Sequence, residues 1–546
     1  MKGWGRNLLF ILIFSVLAGQ IFLWGGCAKQ ESRVITTGIS PIDIPIDLKT
    51  LYPFLSLEGL DPTERFQKIN DHFAYGCEEN LRLINYVQKH HVVGDRGDVL
   101  SRLKDAMFHI LEEGRLPTPY FKENSENKAV KTIEIEEEGE TKRVAIQPPI
   151  LIEYIDFIVQ RESLIETKIS QLDELANFCA TVDDMIHHLM IQWDESKEFP
   201  FSYASLLALL HKSIFRYFVA SLDPHSFILE STEQWYMAQG LKKQLKRSSF
   251  ENVSYIFPSS ENPFYDKRIQ NGPFWETQWL SNSVLRIEFT LFDEGTAATF
   301  EREYLKHVNE KSLSALVIDL RRNRGGSSIV VAKLVDLFLK EGEVLFMRER
   351  AETGGTMIRN QNGGPFMAQS GNELPGIENM PVIILMSRYS SSSSETFAAA
   401  LQDHEAAIIM GEKTHGKGTG QRMPLLRQLP LEIDSSARLT LTTFYTYSPK
   451  GIPIQLSGIE PDIQVEDRDY VSRLITREDH EEYNRHHETQ MSPPFYASRP
   501  LPAPDSLSTG FQPHPNERMR QWKEKLKAYF DSHKNLFSLS SLADAF

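Results

Sequence analysis

Pro381-Val382-Ile383-Ile384-Leu385-Met386 runs through Ser387-Arg388-Tyr389 into Ser390-Ser391-Ser392-Ser393-Ser394-Glu395, then into Thr396-Phe397-Ala398-Ala399-Ala400-Leu401. That order predicts a buried strand, a sharp turn and a helix. A serine on such a turn has its hydroxyl at the strand's end, beside a helix N-terminus. Both features suit a nucleophile whose product carries an oxyanion. Serine runs otherwise form flexible linkers, but linkers are flanked by polar or Pro-rich sequence rather than by a strand and an Ala-rich helix. Downstream, Gly416-Lys417-Gly418 sets a lysine between two glycines. A lysine held there accepts the serine's proton if burial keeps it neutral.

Outward from this stretch the pattern stays α/β. Val284–Phe289 alternates as a half-buried strand, Ala297–Val308 is an amphipathic helix, and Ala315–Leu320 has the length of a buried parallel strand. Gly325-Gly326, a helix over Ile329–Leu339, a strand over Val344–Arg348 and a Gly-rich loop near Gly363 precede Pro381. A strand over Ala407–Met410 follows the serine helix. Strands alternating with helices imply crossover connections. Residues 61–243 are mainly helical, with apolar residues three and four apart in Asn80–Lys89, Asp98–Glu113, Ile150–Ile169, Ser170–Trp193 and Tyr203–Ser221. A strand-like insert, Lys128–Gln147, interrupts them, with Gly139 at a hairpin tip. His187 and His188 are adjacent on a helix and point to different faces, which argues against a shared metal. Residues 471–546 are polar, Pro-rich at 493–504, with one last amphipathic helix over Asn516–Phe530.

The 546 residues are enough for two to four domains, and 41% hydrophobic with 24% charged residues is ordinary for a globular chain. A formal charge of −15 argues against nucleic acid or an anionic membrane surface as the main partner. Lys2 and Arg6 followed by the apolar run Leu8–Leu23 read as a targeting segment, residues 1–26, ahead of a tether over 27–60. Trp24-Gly25-Gly26-Cys27 resembles a lipoprotein cleavage site, with Trp24 where an aliphatic residue usually stands. Processed, Cys27 becomes a lipidated first residue; unprocessed, the run is a signal anchor. Either way the body is expected to be exported, into the periplasm or cell envelope. Cys77 and Cys179 then form one disulfide or remain two buried thiols, and the sequence leaves both open. No metal site or phosphate-binding loop is read, so no cofactor is expected.

Five motifs resemble those of the tail-specific, or C-terminal processing, serine peptidases, in that family's order. They are Leu222-Asp223-Pro224-His225-Ser226, Asp319-Leu320-Arg321-Arg322-Asn323-Arg324-Gly325-Gly326, Ser390–Glu395, Gly411–Gln421 and Gly458-Ile459-Glu460-Pro461-Asp462-Ile463. The resemblance implies an α/β (α+β) peptidase core over 279–470, with a mixed sheet and flanking helices, behind a mainly helical N-terminal domain. It implies Ser392 as nucleophile, Lys417 as general base, Gln421 orienting the lysine, and an oxyanion hole from the N–H groups of Gly326 and Ser393. A rival base is His225, since sister families place a Ser-His-Glu arrangement on its motif; His404 and His415 also lie near the site in sequence. Ser391 and Ser393 replace the family's usual alanines, with hydroxyls that are either neutral or bonded locally. Ser390 and Ser394 are expected in capping or turn roles and Glu395 to favour the helix N-terminus by its charge, while the plainer alternative for Asp319 and Arg321 is an ordinary ion pair at a sheet edge. Residues 244–278 stand where most members carry a PDZ domain, so that domain is expected to be absent or vestigial. Protein or peptide substrates are implied, with the helical region as cap, adaptor surface or oligomer contact. A catalytically silent binding or scaffold protein on the same fold is the reading from another class; the complete dyad argues against it.

Overall fold

The computed structural model describes residues 77–93, 99–113, 115–117, 132–137, 140–145, 154–156, 163–191, 203–229, 275–350, 356–359, 367–369, 371–431, 437–465, 500–513, 516–533 and 537–546. The targeting segment with Cys27, the tether, the interval 244–274, the loop near Gly363 and residues 471–499 lie outside the described residues. Among the described residues no helix is long and apolar enough to cross a membrane.

The N-terminal region contains α1 (Cys77–His90), α2 (Val99–Glu113), α3 (Ser163–Ser170), α4 (Phe178–Ile191) and α5 (Tyr203–Ala220). Leu83, Ile84 and Val87 of α1 and Leu103, Met107 and Ile110 of α2 share one apolar cluster with Val182 and Ile186 of α4 and Ile214 and Phe218 of α5. These are the three- and four-residue spacings read from the sequence. The cluster runs on into Leu426, Leu439 and Leu441, so the helices and the core strands exclude water together. A disulfide joins Cys77 at the start of α1 to Cys179 on α4, with Cα atoms 5.7 Å apart, which decides between the two cysteine alternatives.

Two helix predictions are corrected here. Among the described residues of Ile150–Ile169, Tyr154–Asp156 is a strand (β4) paired antiparallel with β1 (Arg115–Pro117), and the helix begins at Ser163, running over Ser163–Ser170. Tyr154 and Ile155 favour a pleated surface, and a partner some forty residues away supplies it. The predicted helix from Ser170 begins at Phe178, because the Ser170 hydroxyl bonds back to the Glu166 carbonyl at 2.7 Å and a 3-10 turn over Leu175–Asn177 intervenes. The expected hairpin around Gly139 is present as β2 (Thr132–Glu137) and β3 (Glu140–Ala145).

After β5 (Phe227–Leu229) the core runs β6 (Trp275–Trp279), β7 (Val284–Phe289), α6 (Thr296–Glu310), β8 (Ala315–Asp319), α7 (Ser328–Val335), β9 (Gly342–Glu343), β10 (Phe346–Arg350), β11 (Thr356–Arg359) and β12 (Met367–Ala368). It continues with β13 (Val382–Met386), α8 (Ser393–Asp403), β14 (Ile408–Gly411), β15 (Thr419–Arg422), β16 (Arg438–Tyr447), β17 (Ile463–Gln464), α9 (Glu517–Ser532) and α10 (Leu539–Asp544). One mixed sheet has the order β17-β14-β13-β8-β7-β6, parallel except for β6. Its central strands are apolar at consecutive positions because both faces are covered. Leu316, Ile318, Ile384 and Met386 meet Phe300, Val331 and Phe397 of α6, α7 and α8. Val317, Ile383, Leu385 and Met410, one residue out of phase, meet Met519, Leu526, Phe530 and Leu542 of α9 and α10. The polar C-terminal stretch thus supplies the second layer of the core. A further sheet has the order β11-β10-β16-β15, with β5 also paired to β16.

Candidate active site

β14, β13 and β8 are neighbours and parallel, so the loops leaving their carboxyl ends meet at one edge of the sheet. Those loops are 412–418, 387–392 and 320–326, and each carries one of the motifs singled out above.

The serine turn is fastened to the Gly-Gly loop side chain by side chain. Ser390 Oγ donates to the Leu320 carbonyl at 2.8 Å, Ser391 Oγ to Arg324 at 2.9 Å, Ser393 Oγ to Gly326 at 2.8 Å, and Ser394 Oγ to the backbone and side-chain oxygens of Asn323 at 2.9 and 2.8 Å. All four of these serines are buried. Ser392 is the half-buried one, and its hydroxyl is not tied to the 320–326 loop by any of these bonds. The run is therefore no linker, and the hydroxyls that replace alanines at 391 and 393 are spent on the facing loop.

Ser392 holds φ 57° and ψ −118° at the N-cap of α8, a conformation that costs a non-glycine residue about 1–3 kcal/mol. Gly325 is the complement of this kink. A Cβ built there would lie 2.7 Å from Ser392 Cβ and 2.9 Å from Ser393 N. Phe292 accepts from Ser327 N–H and donates to the Gly325 carbonyl, which turns the backbone groups of Gly326 the other way. Among the described residues neither Gly326 N–H nor Ser393 N–H has an acceptor.

Glu395 joins the serine turn to the lysine loop. It is fully buried, and its carboxylate accepts from Ser392 N–H (2.7 Å), Thr414 Oγ1 (2.6 Å), Gly416 N–H (2.7 Å) and Lys417 N–H (2.9 Å). Sequence reasoning gave this residue only a helix-terminus charge. The Ser392-x-x-Glu395 spacing of a capping box was the available signal, and it shows half of the role. Gly418 lets the lysine loop lie flat on its neighbour, since a Cβ there would be 2.0 Å from Gln455 N.

Lys417 is half-buried, and its Nζ donates to Gln421 Oε1 at 3.0 Å. Gln421 Nε2 donates to Thr442 Oγ1 at 3.1 Å, which donates to Asp223 Oδ1 at 2.9 Å. His225 joins through its backbone N–H, which donates to Asp223 Oδ1 at 2.8 Å. His404 instead meets the Glu343 carbonyl at 2.7 Å, and His415 N–H donates to the Ser390 carbonyl at 3.0 Å. Burial alone would raise the Asp223 carboxyl. The hydrogen bond and charge of His91, the charge of His225 and the Ser226 hydroxyl outweigh it and hold the group at about 2.

Beneath the Gly-Gly loop lies a buried charge network. Asp319 accepts from Arg286 Nε at 2.9 Å and from Arg321 Nε at 2.9 Å, and Arg286 also pairs with Glu288. Burial pushes Asp319 up, but the Arg321 and Arg286 guanidiniums draw it well below the usual carboxylate range. Glu288 is raised, by burial first and by Asp319 second. The sheet-edge alternative is not met: β8 lies between β7 and β13, so Asp319 and Arg321 anchor the loop from inside.

Ser392 at the strained N-cap of α8, the N–H groups of Gly326 and Ser393, without acceptors among the described residues, and a lysine loop tied to the same turn through Glu395 are the kinds of group that acyl transfer through a serine requires. Residues 283–465 match the model of peptidase family S41. The carboxy-terminal-processing protease of Bartonella bacilliformis (strain ATCC 35685 / KC583 / Herrer 020/F12,63) is 37% identical over 154 residues, 28% of this chain and 31% of the relative. The tail-specific protease of Haemophilus influenzae (strain ATCC 51907 / DSM 11121 / KW20 / Rd) is 32% identical over 185 residues, 33% of this chain and 24% of the relative. The chain thus spans less than a third of the length of these relatives. Among solved structures, the photosystem II D1 C-terminal processing protease is 21% identical, with a TM-score of 0.29 over 38% of this chain and 52% of that one.

Proposed function

We propose that the chain is a serine endopeptidase working with a Ser392/Lys417 dyad. Ser392 Oγ attacks the substrate carbonyl carbon while Lys417 Nζ takes its proton. The resulting oxyanion is held by the N–H groups of Gly326 and Ser393. Lys417 returns the proton to the leaving amine, and the peptide bond breaks to give an acyl-enzyme. Water then attacks the ester, Lys417 again carries the proton, and the acid product leaves with Ser392 restored. The observation that carries this reading is the division of labour in the serine run. Four hydroxyls are committed to the 320–326 loop, and Ser392, the half-buried one, is held at the strained N-cap.

The finer proposals concern place and substrate. Lys2, Arg6 and the Leu8–Leu23 run support export, with Cys27 as a lipid attachment point, and the Cys77–Cys179 disulfide supports an oxidising compartment. Substrates are proposed to be envelope or periplasmic proteins. With residues 244–278 too short for a PDZ domain, the helical region is proposed to govern their admission.

The test is hydrolysis of fluorescently labelled casein by the full chain and by Ser392→Ala, Lys417→Ala and His225→Ala. Loss with Ser392→Ala and Lys417→Ala, and retention with His225→Ala, is expected. Loss with His225→Ala alongside an active Lys417→Ala moves the base to His225. An inactive parent chain favours the silent binding protein.

A further inference from the structure

A carboxylate far from the dyad in sequence fixes the direction of the hydrogen bonds that reach the lysine. Asp223 is 1% exposed, and as a carboxylate it can only accept. Thr442, 0% exposed, gives its single hydroxyl proton to Asp223 Oδ1, so its oxygen is left to accept from Gln421 Nε2. With its amide nitrogen on Thr442, Gln421 must turn its carbonyl oxygen to Lys417 Nζ. A flipped amide would set acceptor against acceptor at Thr442 and donor against donor at Lys417. One amine hydrogen of Lys417 is thereby committed to Gln421, and that constrains where the nitrogen's lone pair points.

The same carboxylate is gripped by the helical region. His91, just past α1 and 2% exposed, places Nε2 3.0 Å from Asp223 Oδ2, and Ser226 Oγ donates to that oxygen at 2.6 Å. Val92 N–H donates to the Thr442 carbonyl at 2.9 Å, and Thr442 N–H donates to Ser226 Oγ at 3.0 Å. The end of α1 and the 223–226 turn therefore hold Thr442 on both its backbone and its side chain.

We propose that Asp223 and Thr442 are positioning residues for Lys417, acting through Gln421, and that His91 makes this alignment depend on the seating of α1 against the core. The proposal rests on Lys417 being the base. It gives the helical region a role in the reaction itself: the dyad is aligned only while α1 is docked.

The test compares Thr442→Val, which keeps the shape and removes the hydroxyl, with Thr442→Ser, which restores it. Casein hydrolysis by the full chain is measured as kcat and KM separately, with Lys417→Ala in parallel. Thr442→Val is expected to lose about 100-fold in kcat with KM within about twofold, the size of loss that follows a misplaced group. Thr442→Ser is expected within about fivefold of the parent, because a restored hydroxyl can make both hydrogen bonds. His91→Ala should shift kcat in the same direction. A Thr442→Val enzyme with unchanged kcat, or a Thr442→Ser enzyme as poor as Thr442→Val, overturns the relay. Activity retained in Lys417→Ala overturns the base assignment and the relay with it. A readout independent of turnover is the side-chain amide resonance of Gln421 in glutamine-labelled protein. Slow hydrogen exchange there should persist in Thr442→Ser and vanish in Thr442→Val; equal exchange in both overturns the alignment even in a chain that cleaves nothing.

Discussion

A nucleophile has to be held by its neighbours without being consumed by them. Around Ser392, the proposed nucleophile, that work falls to Glu395, whose single carboxylate accepts from the serine turn and from three donors of the 414–417 loop. Replacing it by glutamine turns one accepting oxygen into an NH2 group facing donors. Glu395→Gln should therefore destabilise the chain by about 3 kcal/mol, the penalty for leaving buried donors unpaired, and abolish casein cleavage. Urea unfolding at neutral pH checks the first and the casein assay the second; unchanged stability would show that the carboxylate is replaceable. At this scale the candidates were legible where chemistry and spacing coincide: Ser392, Lys417 and Gln421 all fall within residues 392–421. Asp223 and Thr442 were not legible as a pair. They lie 219 residues apart, and their partnership exists only once β5 and its preceding turn reach β16.

Between elements, the serine run and the Gly-Gly loop behave as two halves of one joint. The hydroxyl bonds set its strength and Gly325 sets its closeness. Gly325 has φ +103°, and any Cβ there meets Ser392 and the Ser391 carbonyl inside 3 Å. Gly325→Ala should push the turn aside and lower kcat by about 100-fold or more, as misplacing a reacting atom does. Ser391→Ala removes one hydrogen bond from the same joint and should cost about 1 kcal/mol in unfolding free energy with activity kept. Activity lost equally in both variants would mean that the joint tolerates no loosening at all. The strand–turn–helix order was readable here because both strand faces are covered, making β8 and β13 continuous apolar runs. Tyr154–Asp156 was not, because a three-residue strand owes its existence to a distant partner and leaves no period of its own.

On the scale of the whole molecule, buried carboxylates tie the stability of the core to pH. Asp223 sits at about 2 in the folded chain, against about 3.9 for an unperturbed aspartate. Its folded value is depressed, so the stability it contributes is complete above pH 4 and drains away as the pH falls toward 2. The difference corresponds to stability on the order of 2–3 kcal/mol. Asp319, drawn lower still by its arginines, has the same sign. Glu288 has the opposite sign: its raised value means that ionisation is penalised in the fold, so acid relieves part of the strain under the Gly-Gly loop. The net expectation is a melting temperature that changes little from pH 7 to 5 and falls steeply below pH 4. Asp223→Asn should be less stable than the parent at pH 7 yet lose less on going from pH 4 to 2.5, because one of the two titrating aspartates is gone. Thermal melts of both proteins across that interval decide it. Parallel curves would mean that acid opens the chain elsewhere, and that Asp223 holds α1 to the core by shape rather than by charge.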